Sequence, residues 1–296
     1  MLKTPLLKAA DLVAVDPEPF KWRMGVRPLN LDQWLLVDED RVADLNEIGA
    51  LIDNCRDEII YCEPSAVAAC QELGAEVVEH LRHVSGLSSI ELDQQPGVPV
   101  IESTRRLVQE DICLLQRRSE GWVMTACAVA IPTQWDVPSK FGTTLDSIHE
   151  PVPRYDTDLS QLMGTFFDRL RVDRPVWRAN RTLTGDPGLR LAPHQRHEPL
   201  RQDITLANVA ERVWLRVEYQ TLRRLPQTDA IVFTIRILRQ QIASVAEHPT
   251  ALGELVQSLS KLPKDVRGYK NSTAAYASLV KQWAISKGYL DPKKHE

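Results

Sequence analysis

VWLRVEYQTLRR at 213–224 and AIVFTIRIL at 230–238 decide the fold. The first stretch alternates, with Val213, Leu215, Val217 and Tyr219 set against Trp214, Arg216, Glu218 and Gln220. That is the period of two expected of a strand whose two faces are used differently. The second stretch is a short β-branched run, and Leu225-Pro226-Gln227-Thr228-Asp229 between them is a turn, so the pair reads as a hairpin. Upstream, DICLLQRRSEGWVMTACAVAIP (111–132) reads as a second hairpin turning at Ser119-Glu120-Gly121, and residues 176–184 as a further strand.

Helical stretches surround these strands. Residues 41–54 place Val42, Leu45, Ile48, Leu51 and Ile52 on one stripe, and residues 65–84 do the same with Val67, Cys70, Leu73, Val77, Leu81 and Val84. Glu63-Pro64-Ser65 is a start signal for the second helix. A third runs from near Asp158 to about Arg171, burying Leu159, Leu162, Phe166 and Leu170, and the tail over 240–286 is helical again. Residues 185–203 are polar, carry three prolines and read as a loop. The fold class expected is α+β, an antiparallel sheet of about five strands flanked by helices. Residues 1–40 form an irregular leading segment, 41–286 a single domain and 287–296 a tail.

The chain of 296 residues carries 36 basic and 40 acidic side chains, a net charge of -4, which argues against a dedicated nucleic-acid binder. No apolar run approaches the length of a membrane helix. Asp11 and Asp16 interrupt the first twenty residues where an export signal needs its apolar stretch, so a cytoplasmic location is expected. Of the 13 glycines only Gly185 and Gly188 lie within three residues of each other, so neither a dinucleotide fingerprint nor a Walker-type loop can be built. The five cysteines contain no C-x-x-C and fit neither a zinc ribbon nor an iron–sulfur run. They read as reduced thiols. Any electrons used in redox chemistry would therefore arrive from another chain.

Seven histidines are candidate ligands or bases. His80 and His83 read as a solvated helix face among Glu76, Glu79 and Arg82. His194 and His197 have the spacing of a metal pair but lie in a proline-bracketed loop without an obvious third ligand. His149 differs, because Pro151 and Pro153 stiffen the backbone that follows it in IHEPVP (148–153). Local sequence leaves two readings open: an ordered loop histidine bonded to a backbone carbonyl, or an axial haem ligand held in a fixed direction. Glu218, Gln220, Arg223 and Arg224 are a second concentration of polar groups among apolar neighbours. On a sheet with one wet face they are solvated; in a pocket, Glu218 is a candidate for amine recognition or proton handling, and a nearby arginine for holding a haem propionate.

Four blocks carry a resemblance: PEPFKWRMGVRPLNLDQWLLVDED (17–40), RRLVQEDICLL (105–115), PSKFGTTLDSIHEPVPRY (138–155) and LRVEYQTLRRLPQTDAIVFTIR (215–236). In this order they resemble successive blocks of the haem-dependent oxidative N-demethylase family, whose haem-bearing subunit oxidises dimethylamine. The resemblance implies a PAS-like α+β fold, b-type haem with a histidine ligand, O2 as co-substrate, and electrons from NADPH through separate flavin and iron–sulfur proteins. Carried onto this chain, the I-H-x-P-V-P block makes His149 the iron ligand. Lys140 in the same block and Arg223 become cofactor-binding candidates, and Glu218, Tyr219 and Gln220 the catalytic candidates.

The chain departs from the family pattern in two places. Family members read E-R-Q-T-L where it has Glu218-Tyr219-Gln220-Thr221-Leu222, and carry a tryptophan where it has Arg181 after Arg178-Ala179-Asn180. An arginine replaced by a phenol near a pocket puts the amine, and the reaction, in question. The leading expectation is a haem monooxygenase that removes an N-methyl group from an amine or oxidises a related one. The alternative is a haem- or ligand-binding PAS-like sensor without turnover. A structural or adaptor subunit that has lost haem is a third reading.

Overall fold

Among the described residues, 7–13, 20–93, 95–197 and 201–291, the computed structural model has one open sheet of seven antiparallel strands. They are β1 (Arg27–Pro28), β2 (Ile60–Cys62), β3 (Asp111–Arg118), β4 (Gly121–Ala128), β5 (Val176–Thr184), β6 (Trp214–Arg224) and β7 (Ile231–Gln241), in the order β1-β5-β6-β7-β3-β4-β2. The architecture is α+β, with seven strands in place of about five. The two unforeseen strands, β1 and β2, are the outermost and only two and three residues long, too short to show a period. Both expected hairpins form, β3–β4 and β6–β7.

The short helices α3 (Val100–Arg105), α7 (Val209–Arg212) and α8 (Ile242–Val245) lie along the chain between the longer ones, and the sheet is covered on both faces. On one lie α1 (Arg41–Ile59), α2 (Val67–Ser85), α9 (Pro249–Ser260) and α11 (Asn271–Ser286), which share a core with Val217 and Tyr219 of β6 through Ile48, Leu73, Leu255 and Val280. Ala9, Ala10, Trp34 and Leu35 of the leading segment belong to the same core. Burying each such leucine or isoleucine contributes roughly 1.5–3 kcal/mol. On the other face, Leu115, Met124 and Leu222 pack under a layer formed by α4 (Leu145–His149), α5 (Tyr155–Asp158) and α6 (Ser160–Arg169).

Three expectations are corrected in detail. On α1, Val42 is 73% exposed while Asp44 turns inward, accepting from Gln109 Nε2 at 2.8 Å and pairing with Arg236 of β7 at 3.0 Å. The helix is rotated so that its carboxylate meets the sheet's buried cation, since a buried charge must be paired. Around α6, Leu159 and Leu170 are buried as expected, but between them Met163 and Phe167 are buried while Phe166 is half-buried and Leu162 is 55% exposed. In the proline-containing loop, Pro193–His197 makes a short 3-10 helix. No helix among the described residues is long and apolar enough to cross a membrane.

Candidate active site

The antiparallel register sets one wall of a cavity. Along β6 the even-numbered side chains Glu218, Gln220 and Leu222 share a face, and the pairing puts Asn180 of β5 opposite Glu218 and Arg178 opposite Gln220. On the other side of β6 the register brings Ile235 and Phe233 of β7 to the same face, followed by Cys113 and Leu115 of β3. Facing this wall are Lys140, Ile148, His149, Val152 and Met163 from the helical layer, with Trp22 and Met24 from the leading segment. The enclosed space is about 300 Å³, at the lower end of small-molecule sites. Trp22 is fixed in the wall by two bonds: its indole N–H donates to Pro153 O at 2.7 Å and its main-chain N–H to Asp158 Oδ2 at 3.1 Å.

His149 ends the short helix α4, so the stiff loop expected from its prolines begins one residue later. Thr144 caps the helix by accepting from Ser147 N, and the His149 ring stacks on Tyr155 with centroids 5.3 Å apart and planes 13° from parallel. Nδ1 lies 2.8 Å from the Leu145 carbonyl. A carbonyl only accepts, so the ring proton sits on Nδ1 and Nε2 keeps its lone pair. Burial pushes the imidazole below its usual range, the Leu145 bond opposes this, and the charges of Arg178 and Lys140 add to it. A neutral histidine held through Nδ1–H to a backbone carbonyl is the arrangement metal-ligating histidines use.

Glu218 is 9% exposed, so it does not stand on an open, solvent-facing sheet. Nor does it pair with Arg216 or Arg236. Arg236 is taken by Asp38 at 2.6 Å and Asp44 at 3.0 Å. Arg216 donates to Thr133 Oγ1 and to the carbonyls of Gly188 and Ile131. Glu218 Oε2 instead accepts from Gln220 Nε2 at 2.8 Å and Asn180 Nδ2 at 3.2 Å, which leaves Oε1 without a protein donor among the described residues.

Of the residues singled out from sequence, His149, Lys140, Glu218 and Gln220 meet around this cavity, while Tyr219 and Arg223 lie on the other face of β6. The Tyr219 hydroxyl donates to Gln33 O at 3.1 Å, and its ring centre is 5.4 Å from that of Trp177. Arg223 sits 3.9 Å over the Trp34 ring and pairs with Glu76 at 3.0 Å. Neither reaches the cavity, because adjacent residues of a strand face opposite ways. The same rule places both departures from the family pattern, Tyr219 and Arg181, off the Arg178–Asn180–Glu218–Gln220 wall, so neither change alters it. His80 is another correction: it packs edge-on to Trp34 with centroids 5.3 Å apart and is pushed down to about 4, chiefly by burial.

Sequence reasoning missed Arg178, Asn180 and Lys270 as members of the wall. Burial depresses the Arg178 guanidinium, Glu218 counters this, and the Arg178 Nε is sealed from solvent with no hydrogen-bond partner. Lys270 Nζ donates to Asn180 Oδ1 at 3.3 Å and to Arg181 O at 3.1 Å, tying the stretch between α10 (Lys264–Tyr269) and α11 to the polar strip.

Residues 83–280 match the family model described as haem-dependent oxidative N-demethylase, alpha subunit-like. The chain belongs to that family. The matched span contains every wall residue named above except Trp22 and Met24. The family is haem-dependent and oxidative, and its name designates one subunit of an assembly.

The side chains present have the chemistry a haem needs, and the space of about 300 Å³ must widen to admit the macrocycle. The orphaned Nε of Arg178 is a donor that an anionic propionate would satisfy, and Lys140 and Lys270 add cations on the same wall. Among the described residues no group of three or more His, Cys, Asp or Glu side chains converges on a metal position. One histidine is what an iron already held by a macrocycle requires of the protein. Burial raises the Cys113 thiol well above its usual range, so it stands in the wall as a neutral thiol rather than a competing thiolate ligand. Met24, Met124 and Met163, unbranched and adaptable, are wall residues that can re-pack around a flat guest.

Proposed function

We propose that this chain is the haem-binding subunit of a cytoplasmic monooxygenase that removes an N-methyl group from a small amine. Haem b, O2 and electrons passed from NADPH through separate flavin and iron–sulfur proteins complete this reading, on a PAS-like scaffold. The observation that carries it is one cavity lined by a neutral, carbonyl-anchored histidine from the helical layer and by a carboxylate with a free oxygen from the sheet.

In this reading His149 Nε2 is the iron ligand, and Arg178, Lys140 and Lys270 hold the anionic edge of the macrocycle. Haem, when bound, supplies the activation of O2 for oxidising the carbon next to nitrogen. The protein's own residues select and prepare the amine. Glu218 Oε1 accepts an N–H of the ammonium ion, while Gln220 and Asn180 hold Oε2 and fix the direction of the carboxylate. Glu218 then takes a proton from the ammonium, leaving the nitrogen lone pair free. Leu222, Phe233, Ile235 and Phe167 surround the N-methyl groups with apolar surface and exclude water.

The test is the absorption spectrum of the purified protein with and without dimethylamine, followed by amine-dependent O2 consumption with an added reductase. A protein that cannot be isolated or reconstituted with a Soret band refutes haem binding. A Soret band without amine-dependent O2 uptake refutes turnover and favours a sensor.

A further inference from the structure

Two of the five cysteines lie together away from the cavity. Cys62 ends β2, the outermost strand on its side of the sheet, and Cys70 lies one turn inside α2. Both are free thiols, and their sulfurs are 3.7 Å apart. Cys62 is half-buried, whereas Cys70 is 1% exposed, so Cys62 is the more accessible sulfur of the two. Closing the gap to a bonded S–S separation of about 2.05 Å asks for a shift that an edge strand, paired on one side only to β4, can make.

We propose that Cys62 and Cys70 are a peroxide-responsive dithiol that closes reversibly to a disulfide. The Cys62 thiolate attacks one peroxide oxygen, the O–O bond breaks, and Cys62 becomes a sulfenic acid as hydroxide leaves and takes up the proton Cys62 had released, giving water. Cys70 then attacks the Cys62 sulfur. The S–S bond forms, the S–O bond breaks, and a second water leaves with the Cys70 proton. In sum two thiols and one hydrogen peroxide give one disulfide and two waters, two electrons passing from sulfur to oxygen. A dithiol reductant reverses the reaction by thiol–disulfide exchange.

The surroundings favour these roles. Either sulfur can donate in the bond between them; with Cys70 as the donor, Cys62 is brought down to about 7 against the opposing effects of burial and Glu63. The same bond, with burial, raises Cys70. The exposed sulfur is therefore the nucleophile and the sealed one the resolving thiol. Cys113 and Cys127 are raised by burial and closed off from solvent like Cys70, but among the described residues neither shares a hydrogen bond with another sulfur.

The full chain, exposed briefly to hydrogen peroxide at a few equivalents and then mapped without reduction, is expected to yield a peptide linked through Cys62 and Cys70. Two thiols should be lost and both recovered with dithiothreitol. Cys70→Ala, which also removes the bond that favours the Cys62 thiolate, should react more slowly and stop at a Cys62 sulfenic acid trapped by dimedone, and Cys62→Ser should keep all four remaining thiols at the same dose. Alkylation of Cys62 in the unaltered chain, which needs no variant to fold, should show a pH midpoint near 7. Thiol loss at Cys55 as fast as at Cys62, oxidation of Cys62 to the sulfinic acid without a linked peptide, or an alkylation midpoint above about 8, as for an ordinary thiol, would overturn the proposal.

Discussion

Replacing Glu218 by glutamine separates the proposed amine site from a structural role. Glutamine keeps an acceptor oxygen for Asn180 Nδ2 and Gln220 Nε2, now 3.2 and 2.8 Å from Oε2, so two charge-assisted bonds become two neutral ones. That costs about 1–2 kcal/mol of stability, and the fold and haem content should survive it. For a protonated amine the change is different in kind, because Oε1 loses the charge that makes it an ammonium acceptor. A hydrogen bond to a charged group is worth about 1.5–3 kcal/mol, which corresponds to roughly 10- to 150-fold in affinity. The assay is the titration of the haem absorption change with dimethylamine, at matched haem content, in Glu218→Gln and the unaltered protein. A dissociation constant within twofold of the unaltered one, with haem content unchanged, refutes Glu218 as the amine's partner. Tyr219→Phe is the matched control. Its hydroxyl bonds Gln33 on the far side of the sheet, so it should leave amine binding alone.

The hairpin of β6 and β7 was legible because an eleven-residue strand shows its period of two plainly, and that period placed Glu218 and Gln220 on one face and Tyr219 and Arg223 on the other. Which face held the cavity was not legible. Both faces of β6 are covered, so burial alone does not mark one as functional. Arg178 and Asn180 show the same two-residue spacing on β5, but their meaning depends on β5 lying beside β6 in a register that sets 178 against 220, which no local signal records. The middle of α6 was misassigned for a related reason, although Leu159 and Leu170 at its two ends are buried as expected. Leu162 with Phe166 and Met163 with Phe167 are equally good four-residue pairs, and only the surface they meet chooses between them. A bond from His149 to a backbone carbonyl was one of the two readings open from sequence, and the structure shows it; that the carbonyl is Leu145's and that the ring stacks on Tyr155 had no local signal. The resemblance of the blocks singled out His149; the ring's neutral, anchored state came from the structure.

Three further predictions follow from the geometry. His149→Ala should lose haem or shift its Soret band, whereas His194→Ala should do neither; a normal spectrum in the His149 variant removes the ligand assignment. Arg178→Met should weaken haem retention at least tenfold in a competition with apomyoglobin while leaving apoprotein stability equal or higher, because it deletes a desolvated guanidinium whose Nε has no partner. An apoprotein destabilised by more than about 3 kcal/mol would instead mark Arg178 as half of a buried pair. The third concerns acid. His80 is pushed down to about 4 by burial against Trp34, while in the unfolded chain it titrates near 6.5. Below 6.5 the unfolded state therefore binds more protons than the folded one. The stability His80 permits is complete above that pH and is lost as pH falls toward 4. At 1.36 kcal/mol per pKa unit the linkage amounts to about 2 kcal/mol by pH 5. Urea unfolding of the apoprotein at pH 7.5 and 5.0 should show the unaltered chain losing about 2 kcal/mol more than His80→Gln over this interval. His149 is depressed too, but it is present in both proteins and cancels in the difference. Equal losses in the two proteins would mean that His80 keeps its proton in the fold, and that its ring is not sealed between α2 and Trp34.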